Sequence, residues 1–230
     1  MYQPMTPAED PLSELPVARR PRFPIATPLA LLAALLCVAA AFLLRHPGDG
    51  SAYQFYGQWI GKDAPDFTLT DQDGQPARLS ALRGNIVLMT FGFTHCPNVC
   101  PTTLANLALI CKDLPPRERE RVCVLFITVD PARDTPAALK EYMAFYARGF
   151  TGLTGSADEI AKVAKDYGAS YEAVMQDSRI AGNYYTVNHS AYVYLINPEG
   201  RFALLYDNDK LADHARMSRD IAHVLAGPVR

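Results

Sequence analysis

Residues 85–103 read NIVLMTFGFTHCPNVCPTT, and this stretch decides the fold. NIVLMTFGF, residues 85–93, is an uncharged apolar run with β-branched and aromatic members. Such a run suits a strand covered on both faces, as in a parallel sheet. Directly after it stand Cys96 and Cys100, each followed by a proline. Leu104, Leu107, Cys111 and Leu114 then recur at spacings of three and four, which places them on one face of a helix. Cys100 therefore falls in the first helical turn. Unpaired N–H groups and partial positive charge there favour thiolate over thiol. Residues i and i+4 share a helix face, so the two sulfurs converge. They can close a small disulfide, exchange electrons or chelate one ion, and the pair alone does not choose among these. A purely structural disulfide is the weakest of the three, because so short a loop barely constrains the unfolded chain.

Outward from this stretch the chain alternates strands and helices. Upstream, DFTLTDQDGQPARLS (66–80) reads as a hairpin around the DQDG turn signal. Downstream, RVCVLFITVD (121–130) is a second buried strand. Asp134-Thr135-Pro136 reads as an N-cap with proline at the first helical position, opening a helix to about Ala147. FTGLTG is a short strand or a turn, and Ser156 with Glu159 forms a capping box for a helix that ends at Gly168. YEAVM, AYVYLIN and RFALLYD read as strands, the last two joined into a hairpin by Asn197-Pro198-Glu199-Gly200. The tail from Leu211 to Leu225 is amphipathic, with Met217, Ile221 and Leu225 on one side. The order predicts an α/β fold: a thioredoxin-like mixed sheet flanked by helices, with an N-terminal β-hairpin extension.

The first fifth of the 230 residues differs in kind. Residues 23–44 carry no charge. A helix of that length spans roughly 33 Å, the thickness of a hydrocarbon core. Arg19, Arg20 and Arg22 precede it and Arg45 follows, which predicts a cytoplasmic N-terminus. A cleaved signal peptide is the second reading; the long polar segment ahead of the run and the lack of a small-residue cleavage site disfavour it. Glu9, Asp10 and Glu14 argue against a mitochondrial transit peptide. The expected layout is a cytoplasmic segment at 1–24, a single transmembrane anchor at 25–45, a linker at 46–60 and a folded domain at 61–230. The expected location is a bacterial inner membrane, with the domain in the oxidising periplasm, where a Cys96–Cys100 disulfide persists. A net charge of -2 gives no basic surface for nucleic acid.

Two cysteines need a third ligand to hold a metal tightly, and two thiolates with an imidazole form a trigonal set suited to Cu(I). The chain has five histidines. His46 lies beside the predicted membrane span, His214 and His223 lie on the tail, and His95 adjoins Cys96 but points away from it. His189 stands in VNHS, directly before the strand AYVYLIN. In a thioredoxin-like fold the residues before that strand lie against the dithiol, and redox enzymes of the class keep a cis-proline there. Val187-Asn188-His189-Ser190-Ala191 has none. A histidine in its place points to metal binding by Cys96, Cys100 and His189.

FGFTHCPNVCP, ITVDPARDTP and VNHSAYVYLINPEG, in this order, resemble the Sco (SenC) family of copper chaperones. The resemblance covers roughly residues 55–226 and extends to the single N-terminal anchor. It implies that Cys96, Cys100 and His189 bind one copper ion, Cu(I) or Cu(II). It further implies delivery to the dinuclear copper centre of cytochrome c oxidase subunit II, after loading by an upstream copper donor. Asn98 departs from the family, where many members carry aspartate; the change removes one negative charge near the metal and no ligand.

Two other functions compete. A thiol–disulfide oxidoreductase keeping the acceptor's copper-binding cysteines reduced needs Cys96 and Cys100 but not His189. A peroxidase, suggested by the APDFTLTD start, needs one reactive cysteine and a nearby arginine, and leaves the second cysteine and His189 unexplained. Among other residues, Cys111 and Cys123 fit core positions. Asp130 either bonds Arg133 or faces an incoming protein. Tyr184, Tyr185 and Tyr192 read as packing or rim residues.

Overall fold

The computed structural model describes residues 35–38, 53–147, 149–175 and 185–227. The chain divides into two compact units, Met1–Gln54 and Phe55–Arg230. In the first, residues 35–38 form an exposed helical turn, and the rest of the predicted anchor lies outside the described residues. Among the described residues no helix is long and apolar enough to cross a membrane.

The second unit is built on an eight-stranded mixed sheet. Its strands are β1 (Gln58–Asp63), β2 (Thr68–Asp71), β3 (Pro76–Arg78), β4 (Ile86–Gly92), β5 (Val122–Thr128), β6 (Phe150–Thr154), β9 (Tyr192–Ile196) and β10 (Arg201–Asp207), in the order β1-β10-β9-β4-β5-β6-β2-β3. A separate two-stranded sheet pairs β7 (Tyr171–Met175) with β8 (Tyr185–His189). The helices are α1 (Val99–Asp113), α2 (Pro116–Arg119), α3 (Pro136–Met143), α4 (Ala157–Tyr167) and α5 (His214–Ala226).

Every residue of β4 is buried. It pairs in parallel with β5, and β5 with β6. Parallel neighbours require crossovers, which α1 and α3 supply. β9 and β10 extend the sheet on the other side as an antiparallel hairpin. One half of the core packs Leu104, Leu107, Leu139, Met143, Met217 and Ile221 of α1, α3 and α5 against one sheet face. The other packs Ile160, Val163 and Tyr167 of α4 with Phe67, Leu69 and Phe91. The capping box of α4 is complete, and Gly168 closes the helix in the left-handed conformation at φ 68°.

FTGLT, read as a short strand or a turn, is a strand, held because β5 offers it a parallel edge; the structure departs from the sequence expectation at three places. VNHS is not loop: Tyr185–His189 is a strand whose polar sequence hides its period, since only Val187 is fully buried. Its partner β7 leaves the main sheet. Folded structure also reaches back before residue 61, because Gln58–Asp63 pairs with β10. That strand escapes pattern reading because it is irregular, with a register shift between Trp59 and Lys62. Finally, the tail is not one helix. Asn208–Ala212 is a 3-10 turn, and Asp213 then caps α5 by accepting from the Arg216 N–H at 3.1 Å.

Candidate metal centre

The site forms where β4 ends and α1 begins. β4 runs out at Gly92, and a turn follows in which the Cys96 N–H donates to the Phe93 carbonyl at 3.2 Å. α1 then starts at Val99, so Cys100 occupies the first turn, as expected. The Cys100 N–H donates to Cys96 Sγ at 3.5 Å. An unpaired helix donor thus serves the sulfur of the first cysteine.

His189 arrives from the end of β8. The neighbouring strand ends are clamped by Ser190 and Ser170: the Ser190 N–H donates to the Ser170 carbonyl, and the Ser170 N–H to Ser190 Oγ, each at 2.9 Å. The ring packs edge-on against Phe93, with centroids 5.8 Å apart. Nδ1 lies 3.0 Å from the Ser190 carbonyl. A carbonyl only accepts, so Nδ1 carries the proton and Nε2 of the neutral ring carries the free lone pair. Nε2 stands 3.4 Å from Cys100 Sγ. The two sulfurs and a His189 ring nitrogen all lie within 4.8 Å of one another, the one such His/Cys/Asp/Glu group among the described residues.

The two thiols are not equivalent. Cys100 is buried and Cys96 half-buried. The Cys100 thiol, bonded to Cys96, holds the Cys96 thiol down at about 3, helped against the cost of burial by the N–H groups of Cys100 and Asn98. Cys100 is pushed up, first by that bond to Cys96 and then by burial. The pair therefore favours thiolate at the outer sulfur and keeps the proton on Cys100. A soft cation entering between two sulfurs and an imidazole lone pair would displace that proton.

The other candidates fall elsewhere. His95 is exposed and bonded to Thr94 Oγ1 at 3.0 Å, outside the donor group. His214 bonds Asn106, and His223 packs on the Phe55 ring. His46 and Tyr184 lie outside the described residues. Cys111 and Cys123 are unpaired and belong to different halves of the core, which is why they do not bridge. Asp130 is buried and faces inward: it pairs with Arg133 and accepts from Tyr185 Oη at 2.7 Å. Tyr192 is on the surface and packs edge-on against Tyr194. Asn98 is exposed at the N-cap of α1, and its side chain makes no cap hydrogen bond.

Asp134 has a role its local sequence does not announce. Thr135 caps α3 ahead of Pro136, as the sequence pattern expects, its side chain accepting from the Ala138 N–H at 3.2 Å. Asp134 instead turns inward to Thr94 and Thr128.

Comparisons with known proteins agree with this geometry. The SCO1/SenC family profile matches residues 61–226. "Protein SCO2, mitochondrial" of Saccharomyces cerevisiae is 38% identical over 160 residues, covering 70% of this chain and 52% of the yeast protein. The chain spans about half to two thirds of the length of the curated relatives it first matches. The structure of Bradyrhizobium japonicum ScoI with copper bound superposes with a TM-score of 0.59 at 35% identity, covering 68% of this chain and 98% of that one. BsSco, described with a disulfide switch and as a member of the Sco family of cytochrome c oxidase assembly proteins, superposes with a TM-score of 0.58 at 26% identity, covering 75% and 98%. A buried strand that delivers a two-cysteine helix start to a histidine, within a profile match over most of its length, places this chain in the SCO1/SenC family.

Proposed function

We propose that this chain is a copper metallochaperone. Cys96, Cys100 and His189 take one copper ion as cargo and pass it to the dinuclear copper centre of cytochrome c oxidase subunit II, or to a similar acceptor, after loading by an upstream donor. The observation that carries this is the convergence of two sulfurs and one lone-pair nitrogen within 4.8 Å. Sulfur with imidazole is the donor set that copper prefers, and a half-buried Cys96 leaves one side open for an acceptor's thiolate to enter by ligand exchange. The copper-bound relative and the oxidase-assembly relative support the same reading. Residues 25–45 anchor the chain in a bacterial inner membrane, with 1–24 cytoplasmic and the domain in the periplasm, since residues 23–44 form a long uncharged run preceded by three arginines.

A second reading rests on the asymmetry of the thiols. Cys96, half-exposed and thiolate, is built to attack a disulfide, and buried Cys100 to resolve the mixed disulfide that forms. In that role the protein reduces an acceptor's paired cysteines, two electrons leaving as Cys96–Cys100 closes. His189 separates the two. Purified full-length chain, reduced and anaerobic, is expected to bind one copper ion. Cys96→Ala, Cys100→Ala and His189→Ala should each lower affinity by about tenfold or more. Unchanged copper binding in His189→Ala would refute the three-ligand site. Restoration of oxidase assembly in cells by that variant would favour the reductase.

A further inference from the structure

A buried carboxylate stands behind the cysteine turn with no role in the donor set. Asp134 is 0% exposed. Its Oδ2 accepts from the Thr94 N–H at 3.0 Å and from Thr128 Oγ1 at 2.6 Å, and its Oδ1 from Thr94 Oγ1 at 2.6 Å. Among the described residues the one basic side chain within 4.0 Å of it is His95, an exposed ring at 3.9 Å. Burying a carboxylate without a close Lys or Arg is costly, and apolar side chains would fill a core position at less cost. Three hydrogen bonds, two of them short, make it tolerable. Two of the three fall on one residue.

That residue is Thr94, inside the turn that the Cys96 N–H closes on the Phe93 carbonyl. Asp134 grips both its backbone N–H and its hydroxyl. The third bond fixes the carboxylate to Thr128 at the end of β5, next to β4 in the sheet. Backbone reinforces the same junction: the Val129 N–H donates to the Gly92 carbonyl at 2.8 Å, and the Asp134 N–H to the Asp130 carbonyl at 2.9 Å. The cysteine turn is thus tied to the rigid sheet two residues before Cys96. Cys100 needs no such tie, because α1 already holds it.

We propose that Asp134 is a positioning residue: acting through Thr94, it fixes where Cys96 Sγ stands relative to Cys100 and His189. It never touches the ion. The consequence for metal rests on the copper reading above; the consequence for the dithiol does not.

The test uses full-length chain carrying Asp134→Asn, Thr94→Val and both together. Asparagine is near-isosteric but offers one acceptor oxygen in place of two, and valine removes only the hydroxyl. Two readouts are followed besides thermal stability. One is the Cu(II)–thiolate charge-transfer absorption with copper affinity. The other is the dithiol–disulfide equilibrium of the metal-free protein against glutathione. Each single variant is expected to shift the absorption and lower copper affinity about tenfold, as loss of supports behind a ligand does. The dithiol equilibrium should move as well. The double variant should be no worse than the worse single, because the two residues act in series. Variants that lose only thermal stability, with wild-type absorption and dithiol equilibrium, would overturn the proposal, as would losses that add. Should Asp134→Asn not fold, Thr94→Val alone decides between these outcomes. Should the wild type bind no copper while the dithiol equilibrium still shifts, the copper reading falls and the role of Asp134 stands.

Discussion

At the scale of single residues, the site depends on how closely the backbone of β4 approaches Cys100. Gly92 is the last residue of that strand. A Cβ built on it would lie 2.7 Å from Cys100 Sγ and 2.6 Å from Cε2 of Phe126. Neither neighbour can retreat, because Cys100 is fixed by α1 and Phe126 is buried in β5. Gly92→Ala is therefore expected to destabilise the fold by about 1–3 kcal/mol, the usual cost of overpacking. It should also weaken metal binding by displacing the sulfur. Urea unfolding and a copper titration measure the two effects; unchanged values in both would show that the strand end yields more than its packing suggests.

Among the elements, β1 is held by a contact that its own sequence does not announce. Asp220, on α5 and fully buried, accepts from the Tyr56 N–H at 3.0 Å, the Gly57 N–H at 2.9 Å and Tyr206 Oη at 3.0 Å. It thereby joins the approach to β1, strand β10 and α5. Lys210 Nζ adds a bond to the Tyr56 carbonyl at 3.0 Å. Removing the carboxylate leaves three donors without their acceptor, so Asp220→Ala is expected to cost about 2–4 kcal/mol. Hydrogen exchange should show β1 amides losing protection before those of β4 and β5. Copper affinity should stay at its wild-type value, because β1 lies at the sheet edge and the site at its centre. Equal loss of protection in β4 would mean that the edge and centre unfold together.

For the whole molecule, the three ligands come from two separate sheets and a helix. Cys96 and Cys100 follow β4 of the main sheet, and His189 ends β8 of the small one. A bound ion bridges these parts and is absent from the unfolded chain. At a free ligand concentration of a hundred times Kd it stabilises by about 2.7 kcal/mol. For a domain of this size that raises Tm by roughly 5–10 °C. Scanning calorimetry with and without copper checks this. The rise should vanish on chelation and shrink by about half or more in His189→Ala at the same copper concentration, and an undiminished rise in His189→Ala would place the ion elsewhere.

What sequence alone determined follows from local physics. The apolar run of β4, the spacing of Cys96 and Cys100 and the caps at Thr135 and Ser156 each act within a few residues, so their patterns are legible on the chain. His189 was also found, because a histidine stands before a readable strand where related redox enzymes keep proline. What only tertiary structure decided are relations between distant segments. The strand character of Tyr185–His189 depends on pairing with β7, since its polar residues carry no period of their own. The place of β1 depends on β10 and Asp220. The inward turn of Asp134 depends on Thr94, forty positions away. The chain around Asp134 names its helix cap at Thr135 but not the donors that only the fold brings to the carboxylate.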